Sequence, residues 1–91
     1  MINELKAAII ADDKEKVRTL LVKISEEIAK GHADLINEIT TPAVITELHS
    51  LLSEHLGVPP RTMMVKGRVT TRRGRASLFC RAMISGVDRV S

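Results

Sequence analysis

Residues 63–84 read Met63-Met64-Val65-Lys66-Gly67-Arg68-Val69-Thr70-Thr71-Arg72-Arg73-Gly74-Arg75-Ala76-Ser77-Leu78-Phe79-Cys80-Arg81-Ala82-Met83-Ile84, and whether they form strands or a helix decides the fold. Met63, Val65, Val69 and Thr71 alternate with Met64, Lys66, Arg68 and Thr70, the period of two that a half-buried strand shows. Arg72-Arg73-Gly74-Arg75 then offers a turn whose glycine is free to take positive φ. After it, Ala76, Leu78, Cys80, Ala82 and Ile84 alternate with Ser77, Phe79, Arg81 and Met83. Folding the segment about Arg73-Gly74 sets Val69 opposite Leu78, Val65 opposite Ala82 and Met63 opposite Ile84 on one face. The other face pairs Arg68 with Phe79, Lys66 with Arg81 and Met64 with Met83. One register sorts both strands, and a slip of one residue would undo it. The spacing therefore predicts an antiparallel hairpin, although Leu, Phe, Arg, Ala and Met between Ser77 and Ser85 also tolerate a helix.

Upstream the period is helical. Asn3 is a candidate N-cap for a short helix through Ala11. Asp12 followed by Glu15 is an acidic capping box opening a helix to about Lys30, with Val17, Leu20, Leu21, Ile24 and Ile28 as one apolar stripe. Asp34 to Ile39 adds a turn or two. Thr41 caps a third helix with Pro42 at its first position, and Gly57 with Pro59-Pro60 ends it near His55 or Leu56. The reading is one α+β domain over 1–91: two long helices plus one or two short ones, followed by a C-terminal antiparallel β-hairpin.

At 91 residues, a core must be built with no Trp, no Tyr and a single Phe, so it falls to aliphatic side chains. Leu20, Leu21, Ile24, Leu48, Leu52, Val65, Val69, Leu78 and Ile84 are the expected core. The lone cysteine, Cys80, excludes an intrachain disulfide and a zinc site of several thiolates. No secretory leader is legible, and the longest apolar run, Ala7 to Ala11, is too short to span a bilayer. A cytoplasmic protein without membrane partners is expected.

Charge is divided along the chain. Residues 1–57 hold six basic residues against ten acidic ones, a net of −4, whereas residues 58–91 hold eight against Asp88 alone, a net of +7. Seven of those eight are arginine, the side chain that pairs bidentately with phosphate.

Catalytic chemistry finds no foothold. His49 and His55 are six apart, which turns them to different sides of a helix, and Glu26-Glu27 and Asp12-Asp13 are adjacent pairs that do not share a face. Cys80 has no neighbouring histidine, and no phosphate-loop, nucleophile or metal-helix motif occurs. No enzyme, cofactor or metal is expected.

Binding is better supported. Lys66, Arg68 and Arg81 on the hairpin face, with Arg72, Arg73 and Arg75 at its tip, are the expected contacts to a nucleic-acid backbone; an acidic protein is the alternative partner. One aromatic is too few for stacking on successive bases, so backbone and shape, not base identity, would be recognised. Met64, Phe79 and Met83, alternating outward, are the expected interface of a homodimer formed by pairing hairpin edges.

Overall fold

The computed structural model describes residues 1–59 and 70–90. It consists of five helices: α1 (Ile2–Ile10), α2 (Lys14–Ala29), α3 (Ala33–Ile39), α4 (Pro42–Leu56) and α5 (Arg72–Arg89). No strand occurs among the described residues, so the expected α+β fold is corrected to a helical one. The proposed first strand lies largely outside the described residues; the proposed second strand is the middle of α5.

Two periods compete in that segment, and the helical one buries more. Ala76, Phe79, Cys80, Met83 and Val87 recur at three and four residues and are all buried, with Gly86 among them. That stripe spans three turns, whereas the alternating set stops at Ile84. Leu78, Ala82 and Ile84, which a strand would have turned inward, are only half-buried. The start of α5 is set by Thr71, whose Oγ1 accepts the Gly74 N–H at 3.1 Å. Gly74 is therefore a residue of the first helical turn, not the tip of a hairpin.

α5 packs chiefly against α2, and the two run antiparallel. Arg18 Nε donates to Asp88 Oδ1 at 2.8 Å, the Cys80 thiol donates to the Leu21 carbonyl at 3.2 Å, and Arg73 donates to the Ala29 carbonyl. Residue numbers rise on α2 as they fall on α5. α2 also packs on α1 and α3, while α4 lies against α1 and α3. Lys6 Nζ, 2.8 Å from Glu47 Oε2, joins α1 to α4.

The core is mostly aliphatic, with Phe79 buried in it, whereas Leu78 and Ile84 of the expected core are only half-buried. Leu20, Leu21, Ile24, Leu48 and Leu52 are buried; Val65 and Val69 lie outside the described residues. Boundaries shift slightly. Asp13 rather than Asp12 caps α2, accepting the Lys16 N–H at 3.2 Å, because Asp12 takes a left-handed φ of 59° to turn the chain out of α1. α1 begins at Ile2 after Met1, ahead of the expected cap at Asn3. α4 does open on Pro42 and end at Gly57, whose φ of 70° lets its N–H and that of Val58 reach the Leu52 carbonyl. Buried Val58 closes that end.

Candidate nucleic-acid interface

The first turn of α5 carries Arg72, Arg73 and Arg75 and no acidic residue. A helix start bears a partial positive charge, so cations there are disfavoured by about 0.3–1 kcal/mol each. Three arginines at that position do not serve the helix. Each has a different local environment. Arg73 reaches the Ala29 carbonyl at the C-terminal end of α2, which has no basic residue in its own last turn. Arg72 donates from Nη1 to Asn37 Oδ1 of α3 at 3.0 Å. The Arg75 guanidinium makes no polar contact among the described residues and stands exposed.

Arg72 and Arg75 flank a half-open groove of about 280 Å³, lined otherwise by Asn37, Thr40, Thr41 and Pro42. The groove sits where the end of α3, the start of α4 and the start of α5 meet. Its threonine hydroxyl protons are committed. Thr40 Oγ1 donates to the Ile36 carbonyl at 2.8 Å, and Thr41 Oγ1 to the Asn37 carbonyl at 2.9 Å. Thr41 consequently does not cap α4 with its side chain. Donors for an incoming anion are thus the two guanidinium groups and the Asn37 amide.

Among the described residues no carboxylate cancels these arginines. Among the described residues, none of Arg72, Arg73, Arg75, Arg81 or Arg89 is ion-paired with Asp or Glu. Asp88, the single acid of α5, is engaged by Arg18 of α2. Glu27, near the end of α2, is taken by Lys30 at 3.4 Å and His32 Nδ1 at 3.5 Å, and the Lys30 contact holds its carboxyl below the usual range. Mutual neutralisation of the acidic and basic parts of the chain therefore does not occur at this end of α5.

Arg72, Arg73 and Arg75 are brought together; Arg81 is not with them. It follows Arg75 by six residues, about 9 Å along the axis and about 240° round the helix, on the exposed side. Lys66 and Arg68 lie outside the described residues, as does Met64. Phe79 and Met83, expected outward as a dimer interface, are 4% and 0% exposed and belong to the chain's own core. The edge-paired dimer needed a second strand over residues 76–84, which α5 replaces. Asn37, Thr40 and Thr41 were missed as groove residues because nothing in sequence links them to a segment thirty positions away.

Cys80 is buried, and burial pushes its thiol up to about 11 against an ordinary 9.0, so it is protonated and inert at neutral pH. No group of three or more His, Cys, Asp or Glu able to hold a metal occurs among the described residues. No described helix is long and apolar enough to cross a membrane. Comparison with protein-family models, curated proteins and solved structures finds no significant match.

Proposed function

We propose that this protein is a non-enzymatic nucleic-acid-binding protein that grips the phosphate backbone through the arginine-rich start of α5. The reading rests on one observation above all: Arg72, Arg73 and Arg75 gather at the positive end of a helix with no carboxylate partner among the described residues. That arrangement is unfavourable for the isolated fold and becomes favourable when an anion arrives. Guanidinium groups match phosphate oxygens bidentately, and exposed Arg81 extends the positive surface along α5. The absence of Trp and Tyr, together with burial of Phe79, favours backbone over base recognition. The cytoplasm is the proposed site of action, which suits a lone, unpaired cysteine.

A salt series tests this. With four to six phosphates contacted, log affinity should fall against log salt with a slope of about −4 to −5 for a generic duplex and about −3 to −4 for a single strand. Replacing Arg72, Arg73 and Arg75 together by glutamine should flatten the slope by about 3 with the helical circular dichroism retained. Absence of binding to either nucleic acid at about 50 mM salt would refute the reading; salt-sensitive binding to an acidic protein instead would identify the other class of partner.

A further inference from the structure

Resting on the nucleic-acid reading, we infer that the groove between the starts of α4 and α5 receives a terminal phosphomonoester of a strand, in preference to an internal phosphodiester. Four features of the groove carry this.

The first is charge. Two guanidinium groups line the groove, no acid does, and the starts of α4 and α5 add further positive potential from their first-turn N–H groups. A phosphomonoester carries about −1.5 to −2 at neutral pH. A diester carries a single negative charge and leaves the groove under-neutralised.

The second is the count of acceptor oxygens. Arg72 spends one of its five N–H donors on Asn37, and Arg75 spends none among the described residues. Two guanidinium groups that close bidentately on one phosphorus from different sides, sharing a single oxygen, use three unesterified oxygens. A monoester has three; a diester has two.

The third is donor chemistry. The Thr40 and Thr41 hydroxyl protons already go to the Ile36 and Asn37 carbonyls. The groove therefore offers its ligand charged donors, which suit a phosphate, and no aromatic face for a base.

The fourth is preorganisation. Asn37 Oδ1 holds the Arg72 guanidinium at 3.0 Å at the groove wall, so little side-chain freedom is lost there on binding. Arg75, unrestrained, is placed to close over the ligand.

The experiment compares four versions of one single-stranded oligonucleotide: 5′-phosphorylated, 3′-phosphorylated, phosphorylated at both ends, and hydroxyl at both ends. Binding is measured by fluorescence anisotropy with an internal label. At least one phosphorylated end should bind about tenfold tighter than the all-hydroxyl strand, and inorganic phosphate should compete away that advantage more effectively than chloride at equal ionic strength. R75Q should erase the advantage. R81Q should weaken all four strands by a similar factor and preserve the ratio, since Arg81 lies round the helix from the groove. Equal affinity for all four strands would overturn the terminal-phosphate assignment and leave the backbone reading standing. Failure of all four to bind would overturn the terminal-phosphate assignment, and failure of a generic duplex as well would overturn the backbone reading with it. A phosphate advantage that survives R75Q with helicity intact would also overturn the assignment, since it would place the phosphate elsewhere.

Discussion

Met83→Ala and Leu78→Ala, measured together, separate the helical packing of residues 72–89 from a strand in the same place. Met83 is fully buried on the stripe of α5 that includes Phe79, Cys80 and Val87, whereas Leu78 is half-buried. Truncating Met83 removes three heavy atoms beyond Cβ, worth about 0.8 kcal/mol each by transfer, or about 2.4 kcal/mol. The cavity left in the aliphatic core brings the expected loss to about 3 kcal/mol, inside the 2–5 kcal/mol seen for buried Met→Ala changes. Leu78→Ala should cost about 1 kcal/mol, since roughly half of that side chain is already in water. Against a total stability of about 5–15 kcal/mol the first loss is large and the second tolerable. Urea unfolding followed by far-ultraviolet circular dichroism is the suitable assay, because the chain lacks Trp and Tyr for fluorescence. With a slope of about 1–3 kcal/mol per molar urea, Met83→Ala should lower the midpoint by about 1–3 M. A strand with alternate residues inward requires the opposite order. If Leu78→Ala cost more than Met83→Ala, or if Met83→Ala fell within about 0.5 kcal/mol of the parent, the helical packing would be refuted.

Two further outcomes are expected. Thr71→Ala removes the side-chain acceptor of the Gly74 N–H and should destabilise the protein by about 1 kcal/mol in the same unfolding assay, while Thr71→Ser should recover most of the loss. Burial raises the Cys80 thiol to about 11 from 9.0, so the unfolded chain releases that proton at lower pH than the folded one. Stability from this group is complete below pH 9 and is lost as pH rises from 9 towards 11, by an amount on the order of 2 kcal/mol; Cys80→Ala should lack that component, and native Cys80 should react with a thiol reagent only as fast as the chain opens.

The helices of residues 1–57 were legible because each carries its own punctuation. The stripe from Val17 to Ile28 fits one period, and Pro42 and Gly57 bracket α4 by fixed chemistry at each end. α5 was not legible in the same way, because its apolar residues occupy both parities. Ala76, Leu78, Cys80, Ala82 and Ile84 satisfy a strand, while Ala76, Phe79, Cys80, Met83 and Val87 satisfy a helix. Two signals favoured the helix. Ile84 is the only β-branched residue between Ala76 and Ile84, and the helical stripe continues to Val87, beyond any use the hairpin had for it. Gly74 misled because glycine marks turns more often than first turns of helices, and its role depends on Thr71 three residues earlier. The arginine cluster was legible as composition. Its placement at the positive end of a helix, opposite Asn37 and Thr41, depended on the antiparallel docking of α5 on α2, which no local pattern encodes.

That docking has a consequence for how the chain emerges during synthesis. The Cys80 thiol meets the carbonyl of Leu21, 59 positions earlier in the chain, and at about 5–20 residues per second the ribosome needs about 3–12 s to deliver the partner that α2 awaits. For those seconds α1 and α3 can settle on α2, and α4 on α1 and α3, while the side of α2 meant for α5 stays apolar and open to solvent. The nascent protein thus presents a sticky seam that α5, arriving with the arginines at its leading end, must seal before a neighbouring chain does.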